Sequence, residues 1–108
     1  MTDIPALLVD AAYRLHPDDA AAFRSLALRM ADVARRRDGC GFVKVTQDLL
    51  DPTTFRFFEG WRDRQALEAH FGSDDFRKIT ADAGELRIFE RSGDTYSVAA
   101  RAPLQAPS

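Results

Sequence analysis

Apolar and polar residues alternate along residues 6–15, where every second side chain is apolar. A period of two predicts a β-strand. The apolar face of this strand would carry Leu7, Val9, Ala11, Tyr13 and Leu15. The opposite face is also partly apolar, whereas a sheet with one face in water alternates more cleanly. We therefore expect the second face of the sheet to meet another subunit.

The next segment changes to helical spacing. Because proline and aspartate suit a first turn, Pro17 and Asp18 open a predicted helix that runs to about Arg37. Gly39 suits the left-handed position that follows a helix. Apolar side chains at spacings of three and four form a stripe that would pack on the sheet. Its members are Phe23, Leu26, Met30 and Val33.

A hairpin and two short helices follow. Residues 41–48 and 54–61 have the alternation and the aromatic or β-branched character of strands, and we expect them to pair antiparallel. Asp63 would cap a helix that continues through Phe71. Ser73 would cap a second helix, which ends at Gly84.

The last segment predicts a fourth strand at residues 85–91, a turn at residues 92–94 and a short strand or arm at residues 95–100. Residues 101–108 are predicted to fray. The order strand, helix, strand, strand, helix, strand is the ferredoxin-like split βαβ pattern, an α+β fold with an antiparallel sheet. All 108 residues would form one domain, with its core at about residues 5–100.

Composition limits the functional classes. The net charge of −2 gives no basic surface for nucleic acid, and no apolar stretch approaches the roughly 20 residues of a membrane helix. The N-terminal residues lack the pattern of a signal peptide. Cys40 is the single cysteine, which excludes an intrachain disulfide and suits a reducing, cytoplasmic setting. A basic run at residues 35–37 is interpreted as favourable charge at a helix C-terminus.

Metal, phosphate and covalent chemistry lack support in the sequence. His16 and His70 are far apart, and no Cys/His cluster occurs, so no metal site is predicted. There is no glycine-rich phosphate loop and no nucleophile elbow around a serine.

Aromatic and apolar side chains instead predict a pocket between sheet and helices. Apolar walls with a few polar groups are the usual form of a small-molecule site, although core packing explains any single ring as well. The candidate lining residues are Tyr13, Phe23, Met30, Phe42, Phe57, Trp61, Phe71 and Phe76.

Candidate chemistry in this pocket rests on two rings. Trp61 either fastens the strand end to the next helix or presents its ring and its indole N–H to a planar ligand. His70 either bonds a backbone carbonyl or acts as a base, since imidazole titrates near neutral pH. Alternation places Glu59 on the same face as Trp61, so a role for Glu59 near the pocket stays open.

These motifs resemble the antibiotic biosynthesis monooxygenase family. The likeness covers about residues 5–100, nearly the whole chain. The motifs that carry it are Phe58-Glu59-x-Trp61, Ala66-Leu67-x-x-His70, Ser73-x-x-Phe76 and Asp38-Gly39-Cys40.

The resemblance implies a homodimer in which two sheets pack face to face as a dimeric α+β barrel, with a cavity in each subunit. It also implies oxygenation of an electron-rich quinol-like or polyketide-like aromatic compound by O2, without metal or flavin. Under this hypothesis Trp61 stacks on the substrate, His70 accepts the phenolic proton and Tyr13 bonds an oxygen. The alternatives are a non-catalytic dimeric module that binds a small ligand, and an isomerase or cyclase that uses the same pocket.

Overall fold

The computed structural model describes residues 4–105 and shows a single four-stranded antiparallel sheet in the order β2-β3-β1-β4. This is the ferredoxin-like α+β fold that the sequence predicts. Among these residues no helix combines the length and the apolarity needed to cross a membrane. The elements are β1 (Leu7–Leu15), a 3₁₀ turn (Pro17–Asp19), α1 (Ala20–Arg35), β2 (Cys40–Gln47), β3 (Thr54–Trp61), α2 (Arg64–Phe71), α3 (Asp74–Ala83) and β4 (Ile88–Ser97).

Strand β1 is central because both of its edges are paired, with β3 on one side and β4 on the other. Val9 lies opposite Glu59 of β3 and Thr95 of β4. Residues directly opposite each other in a sheet point to the same face. Glu59 therefore lies on the helix-covered face, beside the apolar side of β1.

Strand β4 differs from the sequence prediction. The predicted turn at residues 92–94 is instead the middle of one continuous strand, which runs beside β1 for almost its whole length. Gly93 lies opposite Ala11, where a Cβ on the glycine would approach that of Ala11 to 3.3 Å. Cross-strand pairing overrides the local turn preference of Ser-Gly-Asp here. The predicted tail at 101–108 lies partly outside the described residues.

The helices pack on one face of the sheet, and Gly39 brings two elements close together at its edge. Gly39 has a φ of 88°, the left-handed conformation that the sequence predicts. A Cβ at this position would lie 2.5 Å from that of Ala66 on α2. A glycine is therefore required both by the backbone conformation and by the approach of α2.

The opposite face of the sheet stays exposed and is apolar at one end. The rings of Phe42 and Phe58 are 5.3 Å apart there, beside an apolar depression of about 290 Å³. At the other end the face is polar and includes an ion pair between Arg14 and Glu90. Large apolar rings on an open sheet face are typical of an interaction surface.

Candidate functional site

A cavity of about 90 Å³ lies between the helix-covered face of the sheet and the three helices. Its walls are mostly apolar, and its polar groups come from a tyrosine, a glutamate and a histidine. Five elements contribute to the lining, which consists of Val9, Ala11, Tyr13, Met30, Phe57, Glu59, His70, Phe71 and Phe76.

Six of the predicted site residues meet around this cavity, and the rings of several of them pack together. The ring centroids of His70 and Phe76 are 4.4 Å apart, and those of Phe71 and Phe76 are 5.5 Å apart. Aromatic rings at such separations pack favourably. The six residues are Tyr13, Met30, Phe57, His70, Phe71 and Phe76.

Phe23 and Phe42 do not line the cavity, in contrast to the sequence prediction. Phe23 is fully buried behind Tyr13, with its ring 5.0 Å from the tyrosine ring, because that part of α1 faces the sheet directly. Phe42 alternates with the buried Val43 and so points to the exposed sheet face. Its ring covers Gly60, where a Cβ would lie 2.4 Å from the ring.

Trp61 lies behind the cavity wall rather than in it. Its side chain is 0% exposed, and its ring stacks on His70 with centroids 5.1 Å apart. The indole Nε1 donates a hydrogen bond of 2.9 Å to Glu59 Oε1. Because its ring and its only polar atom are already engaged within the protein, Trp61 supports two cavity residues and does not present a stacking face to a ligand.

The hydrogen bonding of His70 favours a donor role over the predicted role as a base. Its Nδ1 accepts a hydrogen bond of 3.2 Å from Nε of Arg37. A neutral imidazole whose Nδ1 is an acceptor carries its proton on Nε2. Burial and, secondly, the charge of Arg37 lower the pKa of His70 to about 4. Near pH 7 the ring is therefore neutral, and Nε2–H is the group available to a ligand.

Arg37, just after the end of α1, organises this side of the site. Its guanidinium also donates to the hydroxyl of Ser73 and to the carboxylate of Asp75, at the start of α3. The Ser73 hydroxyl in turn donates to the carbonyl of His70 at 2.6 Å and makes no capping bond to α3. Sequence reasoning missed Arg37, since the basic run around it contains no local signal that distinguishes one arginine from its neighbours.

Glu59 brings a carboxylate into the cavity. The residue is only 8% exposed, and no ion pair to it occurs among residues 4–105. Burial raises the pKa of Glu59, while the hydrogen bond from Trp61 acts in the opposite direction. Burial likewise raises the pKa of Tyr13, which therefore keeps its hydroxyl proton near neutral pH.

An open groove continues from the cavity across β4. It shares Val9, Ala11, Tyr13 and Phe71 with the cavity and is otherwise lined by residues 91–95. Phe71 is 46% exposed and stands where cavity and groove meet. A ligand could therefore place one end in the cavity and the rest along the groove.

Comparisons of sequence indicate what the chain is related to. The family model for antibiotic biosynthesis monooxygenases matches residues 6–82. Rv0793 of Mycobacterium tuberculosis, named as a candidate monooxygenase, is 33% identical over 78 residues, which cover 72% of this chain and 76% of that protein. An uncharacterized protein of Synechocystis is 28% identical over 86 residues, or 80% of this chain, and the match spans only 58% of that relative.

Solved structures of other proteins have the same fold as this chain. A Deinococcus radiodurans protein described as a candidate antibiotic biosynthesis monooxygenase superposes with a TM-score of 0.87, and the match covers 93% of this chain and 99% of that protein. The two sequences are only 20% identical, so this likeness shows the fold alone. The structure of Rv0793 gives a TM-score of 0.76 at 28% identity over 94% of this chain and 98% of its own. Since the family model also spans well over half of the 108 residues, the chain belongs to the antibiotic biosynthesis monooxygenase family.

Proposed function

We propose that this protein is a monooxygenase that oxidises a small phenol or hydroquinone with O2 and needs no metal or flavin. The observation that carries the proposal is the cavity, which combines apolar walls with a buried carboxylate and a neutral imidazole. The chain's membership of the monooxygenase family supports the same class of reaction.

The size of the cavity favours a single-ring substrate. An apolar cavity of about 150 Å³ is known to hold benzene. The cavity here, at about 90 Å³, is smaller, but it opens into the groove beside Phe71. We therefore expect one ring to bind where the cavity opens into the groove, with its substituents along the groove, and a compound of three fused rings to bind less well.

The reaction balances without an added reductant. A hydroquinone gives up a proton and transfers an electron to O2, and the resulting radical pair combines to form a C–O bond. Cleavage of the O–O bond then releases water, so that hydroquinone and O2 become hydroxyquinone and water. The substrate supplies all four electrons, and the protein binds, deprotonates and shields it.

We assign each residue of the site a separate role in this reaction. The Nε2–H of His70 donates to a substrate oxygen as negative charge develops on it, and the hydroxyl of Tyr13 provides a second polar contact. Trp61 holds His70 and Glu59 in position from behind. The buried carboxylate also suits proton transfer alone, which keeps an isomerase as the second candidate.

Oxygen uptake across a substrate panel tests the function. We expect single-ring hydroquinones to be consumed with incorporation of one ¹⁸O atom from ¹⁸O2, and anthrone to react roughly tenfold or more slowly because its rings exceed the cavity. Denatured protein gives the background of spontaneous oxidation. Binding without uptake would point to a ligand-binding module, and a rearranged product formed under nitrogen would point to an isomerase.

We further propose a homodimer formed through the exposed sheet face. Phe58, on this face, is replaced by aspartate in the test, because a charge buried between two apolar faces is costly. We expect light scattering to give twice the chain mass of 12.1 kDa for the wild type and a single chain mass for Phe58→Asp. Leu28→Asp, on an exposed part of α1, is the matched control and should stay dimeric. A monomeric wild type would contradict the proposal.

A further inference from the structure

Glu59 has one carboxylate oxygen engaged and one oxygen free. Oε1 accepts the indole hydrogen bond of Trp61, and no hydrogen bond to Oε2 occurs among residues 4–105. Within the same residues, every side-chain nitrogen or oxygen that is fully shut off from solvent has a hydrogen-bond partner. Oε2 must therefore be reached by solvent, and the space that Glu59 lines is the cavity.

The other titratable groups around the cavity are unsuited to accept a proton. Nδ1 of His70 is occupied by Arg37, and its other nitrogen already carries a proton. Tyr13 keeps its hydroxyl proton, because burial raises its pKa. Cys40, on the neighbouring strand, is a neutral thiol, because burial and then Glu59 raise its pKa to about 11. Among these titratable groups, Glu59 is therefore the one with a lone pair free to accept a proton from a ligand.

We propose that Glu59 is the catalytic base, and that its Oε2 takes the O–H proton of the bound phenol while Nε2–H of His70 donates a hydrogen bond to the oxygen left behind. This inference rests on the proposed function and adds the proton acceptor to it. In the step, the phenolic O–H bond breaks and a carboxyl O–H bond forms.

Charge balance favours this acceptor over His70. Transfer to Glu59 moves one existing negative charge from the carboxylate to the phenol oxygen, so the buried charge stays the same. Transfer to His70 would instead create an imidazolium beside the guanidinium of Arg37, and two like charges in a buried site repel strongly. Burial also makes the carboxylate of Glu59 a stronger base, since it raises the pKa of the group.

Substitution of Glu59 tests the role. Glu59→Gln keeps an oxygen for the indole hydrogen bond but cannot accept a proton, and we expect kcat to fall roughly 10²-fold. Glu59→Asp keeps a carboxylate and should retain more activity than Glu59→Gln. Glu68→Gln removes an exposed carboxylate on α2 and is the matched control, with unchanged activity. A kcat for Glu59→Gln within threefold of the wild type would overturn the inference while leaving the oxygenase function intact.

The pH dependence gives a second kinetic readout. Because the base must be ionised, kcat/KM of the wild type should fall as the pH drops through the raised pKa of Glu59, and Glu59→Gln should lose this fall. The titratable and charged groups that face Glu59 are Tyr13, Cys40 and His70, with Arg91 beyond Tyr13. Burial lowers the pKa of His70 to about 4 and raises the pKa of Glu59, so the two shifts move the titrations of these groups apart.

Binding of 4-nitrophenol under nitrogen tests the role of Glu59 as a base without requiring any reaction with O2. It therefore shows which of the two proposals, the base or the oxygenase function, is wrong if activity is not found. We expect wild-type protein to convert the bound probe to its coloured phenolate at a pH where the free probe is mostly neutral, and Glu59→Gln to bind it as the phenol. If the wild type takes up no O2 with any hydroquinone but still ionises the probe, the monooxygenase proposal fails and Glu59 remains the proton acceptor. If both proteins ionise the probe equally, Glu59 is not the base. Thermal unfolding followed by circular dichroism confirms that each variant is folded.

Discussion

Replacement of His70 by alanine should lower kcat for O2-dependent oxidation of a single-ring hydroquinone by roughly 10²- to 10³-fold, the usual loss when a donor to a developing oxyanion is removed. The effect follows from Nε2–H, the one imidazole group that is free to reach a substrate. Stopped-flow absorbance of the quinone product measures it directly.

His70→Gln distinguishes the donor role of His70 from a role as a base. The glutamine amide can place an N–H group near the position of the imidazole Nε2, but it cannot accept a proton. We expect this variant to recover a large part of the activity that the alanine variant loses. Equal losses in both variants would instead support proton transfer to His70. An alanine variant as active as the wild type would exclude either role.

Replacement of Trp61 by alanine should lower the free energy of unfolding by about 3–5 kcal/mol, as expected when a fully buried large ring is removed. The loss has two sources, because the variant leaves a cavity under His70 and removes the donor to Glu59. Urea unfolding at a fixed protein concentration, followed by circular dichroism, gives the value. Tryptophan fluorescence cannot be used, since Trp61 is the only tryptophan.

Trp61→Phe separates these two sources. The phenylalanine ring can still stack on His70, whereas the hydrogen bond to the Glu59 carboxylate is lost. We expect a smaller destabilisation, of about 1–3 kcal/mol, which is the cost of leaving a buried acceptor without its donor. An alanine variant within about 1 kcal/mol of the wild type would mean that the site does not depend on Trp61 for its packing.

Glu59 and Trp61 show how far the candidate site could be predicted. Alternation along β3 correctly placed both on one face, because the side-chain period of a strand is fixed by its backbone. Alternation could not show that the indole of Trp61 donates a hydrogen bond to the Glu59 carboxylate. It also could not show that Glu59 lines the cavity while Trp61 lies behind the cavity wall. The position of the indole also depends on the packing of α2, because His70 of that helix stacks on the indole ring.

Phe42 and β4 show where local signals mislead. Phe42 is apolar and aromatic, but the register of β2 on β3 places it over Gly60 on the exposed face. Ser92-Gly93-Asp94 has the composition of a turn, but pairing with β1 keeps it extended. In both cases partners far away in the sequence decide the conformation.

By itself, the amino-acid sequence determined the order of strands and helices, the face of β1 that is buried, the left-handed glycine and the motif of the family. These features depend on periods of two and 3.6 residues and on the conformational preferences of single residues, which are local properties. Only the tertiary structure decided that Arg37 reaches His70, 33 positions further along the chain, and Asp75, 38 positions along. The contact with His70 fixes which nitrogen of the imidazole carries the proton. These contacts could not be read from the sequence, because they arise only when α1, α2 and α3 pack together on the sheet.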